Sequence, residues 1–217
     1  MKNRNELLKT YIPIVIFGFL CLTSVGLTNL VGLKLTILFS ILYLFIENIS
    51  KKGKMEDIGF ISKNVLSDIK KYWWLTLIPV ISGIISISLF KFGMPDAYLY
   101  ALETKSMLSF GKLFLQIPKL LILAFAEEIA FRGFFQTKLC NITKPIWAII
   151  ITSLFFVIGN FWAGSIPGLI FTSFFIFIDS IVYGVIYQRT KNIYSCTISH
   201  FSANVIVSFI LFFFYLI

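Results

Sequence analysis

Apolar residues run through this chain in long blocks, separated by short polar or charged joints. A helix needs about 20 mostly apolar residues to cross the hydrocarbon of a bilayer. Seven runs meet that requirement, at about 11–30, 32–49, 73–92, 113–138, 145–163, 166–188 and 193–216. The first two are separated by so little polar sequence, Asn29 to Lys34, that they predict a helical hairpin. The longest polar stretch, Ser50 to Tyr72, carries Ile58, Phe60, Ile61, Val65, Leu66 and Ile69 at intervals that predict an amphipathic helix on the headgroups. Trp73 and Trp74 follow, and indole rings favour the half-wet membrane interface. The pattern predicts an all-α, polytopic transmembrane bundle of about seven spans.

Composition supports this reading. Hydrophobic residues are 58% and charged residues 13% of the 217 positions, with a mean hydropathy of +0.91. Soluble domains hold about 45–50% apolar and about 25% charged residues. So apolar a chain needs lipid as its solvent. The net charge of +9 is spread between the apolar runs, which argues against a nucleic-acid partner and for anionic lipid headgroups.

The same charges orient the chain. A cytoplasmic N-terminus puts Lys2, Arg4 and Lys9 inside, with Lys51, Lys52, Lys54, Lys63, Lys70, Lys71, Arg132, Lys138, Lys144, Arg189 and Lys191. Outside fall only Lys34, Lys91, Lys105 and Lys112, with Lys119 near the outer end of the fourth span. This asymmetry predicts a multi-pass cell-membrane protein with its N-terminus in the cytoplasm. The first run is expected to be a retained signal anchor, since Ser24-Val25-Gly26 is a poor cleavage site. The final residues Phe214-Tyr215-Leu216-Ile217 offer no cysteine to prenylate.

Cys21, Cys140 and Cys196 have no paired spacing, so no disulfide framework is expected. The single histidine, His200, leaves no two-histidine zinc motif, and neither metal nor cofactor is expected.

The informative residues are polar ones inside apolar runs. Leu120 to Phe135 reads LLILAFAEEIAFRGFF, yet each charge at the centre of a span costs about 2.5–3.5 kcal/mol on insertion scales. Glu128 and Arg132 are four residues apart, in the order that favours an ion pair. Glu127 points about 100° away with no sequence-local partner, so the cluster serves either to join helices or to offer Glu127 as a general base toward water. His200 and Asn204 share one face of the last run. That pair suits either hydrogen bonds between helices or an oxyanion site. Asn160, beside the Gly159-Asn160 break, is a third intramembrane polar group, and Asp179 a fourth that is expected to pair across helices.

These residues resemble an ordered motif set. Glu127-Glu128-x-x-x-Arg132 followed by Gly133 is similar to the first motif of the CAAX prenyl endopeptidase and bacteriocin-processing family (CPBP, or Abi). Phe156-Val157-Ile158-Gly159-Asn160 stands at its F-x-x-x-H motif, and His200-Phe201-Ser202-Ala203-Asn204 at its H-x-x-x-N motif. Residues 184–193, GVIYQRTKNI, resemble its G-x-x-x-x-R-T-x-x-I stretch. The resemblance implies a four-helix catalytic core in 113–217, preceded by helices in 1–112 that include the amphipathic loop at about 50–72. It also implies an intramembrane glutamate endopeptidase, metal-independent and open toward the cytoplasm, acting on a membrane-associated peptide or protein. Glu127 would activate water with help from the second-motif residue, and His200 and Asn204 would hold the oxyanion. Glu128 and Arg132 would fix the helix geometry.

One departure stands out: Asn160 replaces the second-motif histidine, and asparagine takes no proton near neutral pH. The alternative is therefore a non-catalytic relative, acting as a bacteriocin self-immunity factor or a membrane scaffold. A transporter is disfavoured by the absence of an inverted repeat. Nothing separates a prenylated tail from a bacterial peptide as substrate, although the Lys-, Ile-, Asn- and Phe-rich composition leans toward the latter. Helical rise puts Glu127 and Asn160 about 20 Å from their cytoplasmic ends and His200 about 10–12 Å from its own. Their convergence in one cavity therefore requires a tilted or broken helix.

Overall fold

The computed structural model describes residues 4–26, 29–95, 98, 110–160 and 166–216. Lys2, Lys105, Ile217 and the 161–163 end of the fifth run lie outside them. Among the described residues there are no strands, and seven long helices follow the apolar runs. They are α1 (Arg4–Gly26), α2 (Asn29–Ser50), α3 (Val65–Gly93), α4 (Phe110–Glu128, continued to Cys140), α5 (Pro145–Gly159), α6 (Ile166–Thr190) and α7 (Ile193–Leu216). Four of them hold windows long and apolar enough to cross a membrane: Leu33–Ser50, Ser62–Gly93, Pro167–Thr190 and Ile193–Phe213. In α1 and α5 the apolar stretches are shorter, Leu8–Thr23 and Pro145–Gly159. Helix α4 is interrupted by Lys119, Glu127, Glu128 and Arg132.

Two local expectations are corrected. Helix α2 begins at Asn29, so Asn29 to Lys34 form its first turns and only residues 27 and 28 separate it from α1. Leu30, Val31 and Leu33 continue the apolar run there, which favours helix over turn. The second correction concerns the stretch 50–72, which is not one amphipathic helix. Two 3-10 turns, Met55–Ile58 and Ser62–Asn64, precede α3, which starts eight residues before Trp73.

Glycine and hydrogen bonding explain the break. Gly59 sits at φ +96°, in the left-handed region. Its carbonyl accepts the Ile193 N–H at 2.8 Å. The Asp57 carboxylate accepts the Lys54 N–H at 2.7 Å, closing the first turn. Asn192 donates to the Ile61 carbonyl at 2.9 Å and to the Asp68 carboxylate at 2.8 Å, while Ser195 donates to the same oxygen at 2.7 Å. The side-chain oxygen of Asn192 also accepts the Tyr194 N–H at 3.1 Å, capping α7. The stretch is therefore a clasp that fixes the start of α7, with Phe60 buried against Phe125 and Tyr194.

Packing then brings the elements around α4. Helix α7 lies against α3 and α4, α6 against α5 and α3, and α1 against α2 and α5. Phe17 of α1 stacks on Phe135 at 4.0 Å and meets Phe131 edge-on at 5.4 Å. The first helix thus reaches the aromatic core around α4. Where α3 crosses α7, Gly83 faces Val207 so closely that a Cβ would overlap the valine methyl. Gly83→Ala is expected to destabilise the fold by about 1–3 kcal/mol, the usual cost of overpacking. Thermal unfolding in detergent measures it.

Candidate active site

The segment Ile129–Gln136 is a π-helix, and all eight of its residues are buried. Such wide turns are rare and recur at functional sites. The Thr137 hydroxyl donates to the Arg132 carbonyl at 3.0 Å, satisfying an acceptor five residues back. Gln136 donates to the Gly184 carbonyl at 3.0 Å, tying the segment to α6.

Glu128 is the hub of the polar cluster and is wholly buried. Its Oε1 accepts from Arg132 Nη1 at 3.2 Å and lies 2.8 Å from His200 Nδ1. Its Oε2 accepts from the Cys196 thiol at 2.9 Å. Arg132 is buried too, and its Nη2 donates to the Ser180 carbonyl at 3.0 Å and hydroxyl at 2.8 Å. The guanidinium also lies 4.7 Å from the Phe156 ring, a favourable contact in a water-poor site. The expected Glu128–Arg132 pair is present.

The hub also orients the histidine. An ionised Glu128 can only accept, so His200 Nδ1 is the donor in their contact. That turns Nε2 toward Glu127, whose Oε2 stands 3.8 Å away. Tyr183 stacks on the imidazole at 4.5 Å and the Phe156 edge meets it at 5.9 Å, fixing the ring. Two carboxylates and one guanidinium carry one net negative charge. A single proton, on Glu127 or on His200 Nε2, makes the buried cluster neutral.

The asparagines lie next to this cluster. Asn160 ends α5, and its amide donates to the Phe156 carbonyl at 3.0 Å. Asn160 and Asn204 both line a cavity of about 420 Å³ between α3, α6 and α7, together with Asp179. Glu127 and His200 are not among its described lining residues, so the four residues expected to line one cavity divide into two adjoining sets. Asn204 follows His200 by one turn and Asn160 follows Phe156 by one turn, which places the sets side by side. The cavity extends to Phe90 and Leu211, toward the end of the bundle opposite Arg189 and Lys191. A site open toward the end bearing those basic residues was expected; this cavity runs the other way. Asp179 faces the Ser82 hydroxyl of α3, a polar neighbour across helices as expected, while its buried Oδ1 makes no short hydrogen bond among the described residues.

Several contributors escaped sequence reasoning. Cys196 lies four residues before His200 on the same face, a spacing that could have flagged it. Ser180 and Tyr183 carried no such signal. Among the described residues no group of three or more His, Cys, Asp and Glu side chains is arranged to hold a metal. His200 Nδ1 and both Glu128 oxygens are already engaged with one another, Arg132 and Cys196.

Sequence comparison finds one family that part of the chain resembles. Residues 109–206 match the profile of the family described as type II CAAX prenyl endopeptidase Rce1-like. That segment is similar to the Rce1-like family. The match spans a little under half the chain and contains Glu127, Glu128, Arg132, Asn160, His200 and Asn204. No curated protein and no solved structure matches the chain. The Rce1-like family is a family of proteases, and the likeness of this segment to it is at family level.

Proposed function

We propose that this chain is an intramembrane endopeptidase that hydrolyses a membrane-associated peptide with water activated by Glu127. The observation that carries the reading is the orientation of His200. Glu128 holds its Nδ1 at 2.8 Å, and its Nε2 faces Glu127 across 3.8 Å. That gap exceeds a direct hydrogen bond, and a water within ordinary hydrogen-bond distance of both atoms fits it.

In the proposed reaction the water oxygen attacks the scissile carbonyl carbon as its proton passes to Glu127. The new oxyanion is held by His200 Nε2–H and the Asn204 amide, in a water-poor setting where such donors act strongly. The proton then moves to the leaving nitrogen, and the C–N bond breaks. Asn160 orients the peptide or the water and takes no proton. Glu128 and Arg132 hold His200 in place. With the N-terminus in the cytoplasm, as the charge asymmetry suggests, the adjoining cavity extends into the outer half of the membrane.

Comparative peptidomics of membranes containing the wild-type protein or Glu127→Gln tests this function. Peptides with new termini are expected with the wild type alone, and identical peptide sets would refute the reading.

A second reading, a non-catalytic immunity or scaffold protein, draws on Asn160, whose amide is spent on the Phe156 carbonyl. Asn160→His separates the two. It restores a group able to share a proton, and is expected to raise the cleavage rate by about tenfold or more, read with a fluorogenic peptide in proteoliposomes. Activity in neither protein would favour the second reading.

A further inference from the structure

A cavity of about 420 Å³ is within the size range of small-molecule and peptide subsites, about 300–1,000 Å³. Its walls are unusual for the interior of a membrane helix bundle. Phe90, Phe175 and Val207 supply apolar surface, while Asp179, Asn160 and Asn204 present polar groups into the same space. Two of its polar atoms make no short hydrogen bond among the described residues. One is the Asp179 Oδ1 atom. The other is the hydroxyl of Tyr98, a residue only 5% exposed.

A buried carboxylate whose polar neighbour is a single hydroxyl, that of Ser82, is under-satisfied, and buried polar groups in folded proteins are almost always satisfied. Arg132 directs its two terminal nitrogens to Glu128 and Ser180 rather than to Asp179. The unmet need is for donors, and for positive charge. The apolar walls suit an aliphatic stem, and the carboxylate suits an ammonium or guanidinium at its end. Long basic side chains place their stems on apolar surface and their charged heads on polar groups in this way. Asn204 offers a donor and an acceptor, the pair of groups that a peptide backbone displays, and Asn160, whose amide is given to the Phe156 carbonyl, offers its oxygen.

We infer that this cavity is a substrate subsite that takes a basic side chain, Lys or Arg, of an otherwise apolar peptide, with Asp179 as the specificity-determining residue. The inference rests on the proposed peptidase reading, since Asn204 would link subsite and catalytic cluster. It assigns Asp179 to recognition, apart from the water-activating step.

The test separates binding from cleavage. Fluorescein-labelled apolar peptides, identical except for one central Lys, norleucine or Glu, are titrated against the Glu127→Gln protein in detergent micelles. Fluorescence anisotropy reports binding. The Lys peptide is expected to bind about tenfold or more tightly than the norleucine peptide, as for a charge-assisted hydrogen bond in a water-poor site. The Glu peptide is expected to bind most weakly. Adding Asp179→Asn, an isosteric change, should remove the Lys advantage over norleucine. Equal binding of the Lys and norleucine peptides, or a Lys advantage that survives Asp179→Asn, would overturn the inference. The peptide series needs no folded Asp179 variant, so a destabilised mutant does not spoil the test. Selective binding without cleavage by the Glu127 protein would sink the peptidase reading and leave the basic-residue subsite standing.

Discussion

Replacing Glu127 by glutamine is expected to lower peptide cleavage by about 100- to 10,000-fold, the range attributable to one positioned general base. The substitution preserves shape and hydrogen bonding and removes only the ability to take a proton. Because Glu127 is 3% exposed and its nearest charged partner is His200 at 3.8 Å, no strong ion pair is lost with it. The melting temperature should therefore hold while the turnover rate falls. Peptide affinity should change little, since the carboxylate acts on water rather than on the bound chain. A rate loss accompanied by an equal loss of stability would instead assign Glu127 to structure. Turnover in proteoliposomes and thermal unfolding of the same preparation distinguish the two outcomes.

Arg132→Met is expected to cost about 3–5 kcal/mol of stability, the penalty for stranding a buried charge. Arg132 and Glu128 are both 0% exposed, so removing the guanidinium leaves the Glu128 carboxylate in the core with only His200 and Cys196 as donors. It also leaves the Ser180 carbonyl and hydroxyl without their donor. Neutralising the stranded carboxylate should repair much of the damage. The double variant Glu128→Gln with Arg132→Met is accordingly expected to be more stable than Arg132→Met alone, and still poor in cleavage because His200 loses its anionic anchor. Unfolding temperatures of the two variants check the sign, and an additive loss in the double variant would show that the pair is not the organising interaction.

The fold was largely legible from the blocks of apolar residues, because a membrane span must satisfy its backbone within one helix. The Glu128–Arg132 pair was legible for the same reason of locality: four residues of helix bring the two side chains together. The contact between Glu128 and His200 spans 72 residues and depends on how α7 lies against α4. No local period encodes that. The clasp at 53–64 was missed because its residues alternate in a way that suits an amphipathic helix, while the Gly59 turn is fixed by a distant N–H, that of Ile193. The π-helical turn around Arg132 likewise depends on partners outside its own sequence, such as the Gly184 carbonyl. Asn160 was recognised as a departure from the motif, but its capping bond to Phe156 becomes visible only once the end of α5 is placed.

In the proposed reaction Glu127 and Glu128 divide their labour: Glu128 positions His200 and anchors Arg132, and Glu127 acts on water. A single-turnover reaction in ¹⁸O-labelled water, with the protein in excess over peptide, tests that division directly. Mass spectrometry of both products is expected to find one ¹⁸O in the newly formed peptide carboxylate and none in the Glu127 side chain. Label in Glu127 with unlabelled peptide product would reveal a covalent acyl intermediate and contradict water activation, as would label-bearing cleavage that persists undiminished in Glu127→Gln.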